Sequence, residues 1–190
     1  MTRLLRLCTR TFAAAARSSW IATAAAVAIT TGLWFAGKLM GVESAKLWPL
    51  RGAVQLSGLW SFTLMCMTIL AVGRSQALEP VFGGLDRATR FHRIVGPAAL
   101  LLALIHPLLL VVQAIQQGFP VAIFLVPFSS PATRSFDIIA TYLLLALVAF
   151  AYNRRMNHER WLTVHRPIAA LFLLAAVLPL SGDAAIPVPA

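Results

Sequence analysis

Apolar residues in this chain come in long unbroken runs, not in the short periodic stripes of a water-soluble fold. Five runs approach the roughly 20 residues that carry a helix across a bilayer: about 18–37, 53–73, 94–115, 136–152 and 161–180. Helices are the form predicted, because hydrocarbon offers a backbone no hydrogen-bond partner. The expected fold is therefore all-α, an integral membrane bundle of five transmembrane helices over 18–180. A basic cytoplasmic segment at 1–17 precedes it and a short external tail at 181–190 follows. A further apolar run at 119–128, with Pro120 and Pro127 near its ends, is too short to span. It predicts an interfacial or re-entrant segment.

Composition agrees with the pattern. Hydrophobic residues make up 59% of the 190 and charged residues 12%, with a mean hydropathy of +0.81. A soluble domain carries about 25% charged residues, so a water-facing surface could not be covered here. The net charge of +10 does not point to nucleic acid, because the basic residues cluster between apolar runs without aromatic interleaving. Cys8 and Cys66 form neither a disulfide framework nor a metal cage. The first apolar run is longer than a signal-peptide core and Lys38 follows it, so it is expected to be a retained helix.

The clusters set an orientation. Arg3, Arg6, Arg10 and Arg17 precede the first run; Arg74, Arg87, Arg90 and Arg93 follow the second; Arg154, Arg155, Arg160 and Arg166 surround the start of the fifth. Lys38, Lys46, Arg51 and Arg134 are the remaining four of the sixteen basic residues, in the other two loops. The positive-inside rule then predicts a cytoplasmic N-terminus in the inner (plasma) membrane, with the C-terminus outside. The six acids, Glu43, Glu79, Asp86, Asp137, Glu159 and Asp183, all fall in or near loops, so the usual proton relay of a transporter is not expected.

Chemistry must therefore rest on few groups, and the four histidines come first. His92 and His106 are 14 positions apart, nearly four helical turns, so both rings face one side about 21 Å apart along the axis. His165 opens the fifth run. The third and fifth runs cross in the same direction, which puts His92 and His165 at comparable depth. Two imidazoles at one level could supply both axial ligands of a haem iron; each could equally be an interfacial snorkelling residue. His106 interrupts the apolar run 98–112, where a polar side chain is expensive and usually functional. Iron ligation is the expectation there, a helix–helix hydrogen bond the alternative. His158 sits in a polar loop and reads as solvated. Arg93 and Arg166 adjoin two of the histidines and could pair with haem propionates, or simply anchor the cytoplasmic side.

Several of these residues resemble a known family. Gly84-Leu85-Asp86-Arg87, Phe91-His92-Arg93-Ile94-Val95-Gly96 and Ile105-His106-Pro107 are similar to the ferric reductase-like transmembrane domain family. That family includes the membrane parts of ferric reductases and NADPH oxidases. Trp161-Leu162-Thr163-Val164-His165-Arg166 resembles the start of its fifth helix, and the likeness runs over roughly 50–180. The resemblance implies two stacked b-type haems between the third and fifth helices, fed by a cytosolic flavin. It assigns His92 and His165 to the inner haem and His106 to the outer one.

Two departures shape what is expected. The family's fourth histidine should fall 13 or 14 residues after His165, where this chain has Leu178 and Pro179. The outer haem is then five-coordinate, bound through another group, or absent. The sequence also stops before the family's sixth helix and holds no Gly-rich phosphate loop. FAD and NAD(P)H would accordingly act only through a partner chain. The expected function is a b-type cytochrome subunit of a membrane oxidoreductase, with a separate flavin-containing reductase or a quinol as electron donor. The alternative is a degenerate, haem-free structural or assembly subunit.

Overall fold

The computed structural model describes residues 2–39, 49–73, 78–128, 132–151 and 157–177. Those residues are helical apart from short turns. Five long helices fall on the five predicted runs: α1 (Thr2–Leu39), α2 (Pro49–Val72), α4 (Leu85–Gln116), α5 (Ala132–Ala151) and α6 (His158–Val177). A single turn of helix, α3 (Glu79–Phe82), precedes α4. Ser19–Leu39, Leu50–Val72 and Leu85–Gln116 are long and apolar enough to cross a membrane, and α5 carries a shorter apolar stretch, Ser135–Phe150. The chain is a multi-pass membrane protein. Large apolar residues accordingly face outward, among them Leu33, Leu101, Leu108 and Leu174, each more than half exposed.

All five helices start before their apolar runs, and two of them do so by more than two turns. The backbone of α1 is already helical at Thr2, where four consecutive alanines at 13–16 favour helix over coil. α4 begins at Leu85, nine residues before the run at 94, because a helix need not stop where hydrocarbon gives way to headgroups. α6 bears Glu159, Arg160 and Arg166 in its first half. The rest of the predicted fifth crossing lies outside the described residues, as do Leu178, Pro179 and the expected external tail.

The chain divides into two compact units, Met1–His106 and Pro107–Ala190. In the first, α1 is tied to α2 by two side-chain hydrogen bonds. Trp60 Nε1 donates to Thr31 Oγ1 at 2.8 Å, and Trp34 Nε1 donates to Gln55 Oε1 at 3.1 Å. Each such bond between membrane helices is worth about 0.6 kcal/mol. The buried face of α2 carries Val54, Ser57, Ser61, Met65, Thr68 and Ala71, a helical spacing rich in small side chains that lets neighbouring backbones come close. Its hydroxyls cost little there, since Ser57, Ser61 and Thr68 donate back to carbonyls of their own helix at 2.8–2.9 Å.

A core forms where α2 ends and α4 begins. Ala71, Phe82, Ala88, Phe91 and Val95 are buried together, with Leu64, Met67, Leu78 and Val81 packed against them. The turn that brings α3 onto α4 runs through Gly83 and Gly84, at φ of 72° and 102°. A side chain at either would be strained. The Glu79 carbonyl accepts from both glycine N–H groups, closing α3.

In the second unit, the run at 119–128 is a 3₁₀ turn, Val121–Phe124, between Pro120 and Pro127. It does not span, as expected from its length. Tyr142 OH donates to Leu125 O at 2.6 Å and Phe128 N–H donates to Ser135 Oγ at 3.0 Å, pinning this connection to α5. Leu125, Val126 and Phe128 stay exposed, as suits a segment at a lipid interface. α5 packs against α6, and Leu144 on α5 is almost wholly buried.

Candidate functional site

The two histidines of α4 belong to the first unit, and both turn onto α2. His106 Nδ1 lies 2.9 Å from the carbonyl oxygen of Val54, and His92 Nδ1 lies 3.2 Å from that of Thr68. A carbonyl oxygen can only accept, so in each ring the proton sits on Nδ1. In the neutral form of such a ring the lone pair is on Nε2. Ser57 Oγ also donates to Val54 O at 2.9 Å, and it makes a longer contact of 3.5 Å with His106 Nδ1.

The two contacts share one register. His92 and His106 are 14 positions apart, and so are their acceptors Thr68 and Val54, in the reverse order. Two antiparallel helices in step produce this pattern. The residues midway along the two intervals are Ser61 and Ala99, both buried and both small, so the step does not force the helices apart. α2 thus holds two imidazoles about 21 Å apart along α4, at 1.5 Å per residue, in one tautomer.

The remaining predicted residues sit as follows. Arg93 is exposed on α4, beside Thr89, Arg90 and Ile94 along an open surface groove of about 520 Å³. Its charge is therefore open to a carboxylate or phosphate that approaches from outside the protein. His165 and Arg166 lie on α6 in the second unit. The His165 ring stacks on Trp161, one turn earlier, with centroids 4.3 Å apart and 18° between planes, and its Nδ1 is buried. Arg166 is exposed. The His158 side chain, Arg154 and Arg155 lie outside what is described.

These donors fit an iron porphyrin better than a protein-only metal cage. Among the described residues no three His, Cys, Asp or Glu side chains converge on a point. A porphyrin supplies four nitrogens itself and asks the protein for axial ligands alone. A histidine that ligates through one ring nitrogen almost always donates its other N–H to a carbonyl or carboxylate. His92 and His106 both have that arrangement.

Sequence reasoning found the histidines and missed what orients them. Val54 and Thr68 act through backbone carbonyls, which leave no mark on residue type. Gly58 is the exception that a reader could have noticed, as a glycine inside an apolar helical run. A Cβ built on Gly58 would stand 2.8 Å from both Cε1 and Nδ1 of His106.

Comparison with known proteins gives one match. The family model described as Ferric reductase like transmembrane component matches residues 57–176. No curated protein and no solved structure matches the chain.

Proposed function

The chain belongs to the ferric reductase-like transmembrane family, and on that premise we propose that it is a b-type cytochrome subunit passing electrons through the membrane. One observation carries this reading. Two α4 histidines, a 14-residue step apart, each place Nδ1 within hydrogen-bond distance of a backbone carbonyl of α2, the arrangement that accompanies ligation through the other ring nitrogen. His92, His106 and His165 are the proposed axial ligands, and Arg93 and Arg166 the proposed partners of the propionates. Bound haem would supply a one-electron carrier in its ferric and ferrous iron.

The chain's own part is to position and to insulate. Backbone carbonyls hold the two α4 rings in the ligating tautomer, so no reorientation is needed at the moment of binding. His106 lies within the apolar stretch of α4 and against α2, and a low-dielectric setting is one of the levers on a haem potential. No side chain need act as acid, base or nucleophile. Electrons would enter from a separate flavin-containing reductase or from a quinol, with FAD and NAD(P)H involved only through that partner.

The test is spectroscopic. Protein purified in detergent should give a b-type pyridine haemochrome and reduced-minus-oxidised difference bands. A chain expressed with adequate haem supply that shows neither is not an electron carrier, and the haem-free structural subunit becomes the better reading.

Orientation is proposed from the loops, with the start of α4 cytoplasmic and its end outside. Asp86 and Gln117 are exposed at those two ends. With Cys8 and Cys66 replaced by serine, Gln117→Cys should react with an impermeant maleimide in intact cells. Asp86→Cys should react only after permeabilisation. The reverse labelling would invert the topology.

A further inference from the structure

We propose that Gly58 is a positioning residue for His106, and that its missing side chain is what lets this imidazole reach Val54 O. The inference rests on the ligand role proposed above, and it concerns how that ring is held. A carbonyl in an α-helix points along the axis toward the residues one turn on. A ring that hydrogen-bonds the Val54 carbonyl must therefore lie against Ser57 and Gly58. Ser57 is buried and turns its hydroxyl back onto the same carbonyl. Gly58 leaves the space that the ring fills.

The fit has no slack. An alanine at this position would put its Cβ 2.8 Å from Cε1, 2.8 Å from Nδ1 and 3.5 Å from Cγ of His106. Carbon atoms rest at about 3.5–4.0 Å, so the ring would have to retreat by most of an ångström. That retreat is not the swing of a flexible chain end. The atoms that clash are those of the imidazole, whose Nδ1 is held at 2.9 Å by Val54 O. Retreat from Gly58 draws Nδ1 off the carbonyl, and the ring loses the contact that keeps its proton on Nδ1.

Other glycines show that the crowding is local. Gly32 and Gly96 also lie within long helices, yet a Cβ on either meets nothing within 4 Å. At the second rung of the register the residues one turn past Thr68 are Ala71 and Val72, and the contact there is longer, 3.2 Å against 2.9 Å. The close rung is the one with the glycine.

The decisive measurement is ¹⁵N NMR of histidine-labelled protein, which reports the tautomer of His106 whether or not haem is present. Wild type should show His106 as the Nδ1–H tautomer, assigned by loss of its signals in His106→Gln. Gly58→Ala should lose that tautomer or mix it with Nε2–H, while Gly32→Ala keeps it. In haem-loaded protein, Gly58→Ala should weaken the haem signal that depends on His106 by about ten- to a hundredfold in affinity, and leave the His92-dependent signal in place. Identical His106 spectra for Gly58→Ala and Gly32→Ala would overturn the proposal.

If Gly58→Ala does not fold, the double variant Gly58→Ala/His106→Ala decides instead. With the imidazole removed, the new methyl has room, and the double variant should fold as well as His106→Ala alone. A double variant that is still misfolded would assign Gly58 to helix packing, against the proposal. A wild-type chain without haem would sink the electron-carrier reading and leave the tautomer result to stand or fall separately.

Discussion

Replacing His92 with alanine is expected to remove the low-spin b-type signal from the purified protein, and replacing His165 should remove the same one. Loss of an axial ligand exceeds loss of a group that merely orients one, which already costs about ten- to a hundredfold in metal affinity. Haem retention should therefore fall by at least a hundredfold, to the detection limit of a haemochrome assay. Two single variants that abolish one shared band would support the pairing of His92 with His165 expected from the sequence. Survival of the band in either variant would end that pairing. His158→Ala should leave every band unchanged: the sequence reads it as a loop residue, and the structure instead makes it the first residue of α6, two turns before His165 at the polar end of the helix.

The second large effect concerns stability. Phe91→Ala should destabilise the protein more than any other single truncation in the first unit. Phe91 is 4% exposed, and its ring lies between Trp20, 5.4 Å away, and Phe82, 5.3 Å away, both tilted by about 60°. Buried phenylalanine to alanine costs about 3–5 kcal/mol in soluble proteins. Part of that cost is transfer from water, which vanishes where the alternative to protein is lipid. Phe91 is close to the exposed Asp86 and Arg90 at the start of α4, so some of the water term remains. A loss of about 2–3 kcal/mol is expected. Leu144→Ala lies deep in the apolar stretch of α5 and should lose less, about 1–2 kcal/mol, since packing is nearly all that is at stake. Denaturant titration of both variants in bicelles would check the order. A Phe91→Ala protein as stable as wild type would mean that the α2–α3–α4 core is not a structural unit.

The histidines and the core illustrate how far a sequence can be read. His106 stood out because a titratable side chain in an apolar run is expensive, and expense is visible in residue type. His92 stood out through its 14-residue step to His106, its depth beside His165, and the family-like stretch around it. Phe91 gave no comparable signal: it is one apolar residue among many, and nothing in its identity tells a core ring from a lipid-facing one. In a membrane chain both faces of a helix are apolar, so the alternation that marks a core in a soluble protein is erased. The backbone acceptors Val54 and Thr68 were out of reach for a simpler reason, since every residue has a carbonyl.

What the residues settled on their own was the solvent and the chain's response to it. Long runs of apolar side chains with their acids at or near the ends demand hydrocarbon, hydrocarbon demands helices, and the spacing of those runs placed five of them. Partner choice was decided by tertiary structure alone. Which carbonyl meets which imidazole depends on the register of α2 against α4, and that register comes from small side chains fitting past one another, with a glycine where a ring must enter. Close packing depends on shape in three dimensions, and a string of residue types does not contain it until the helices have met.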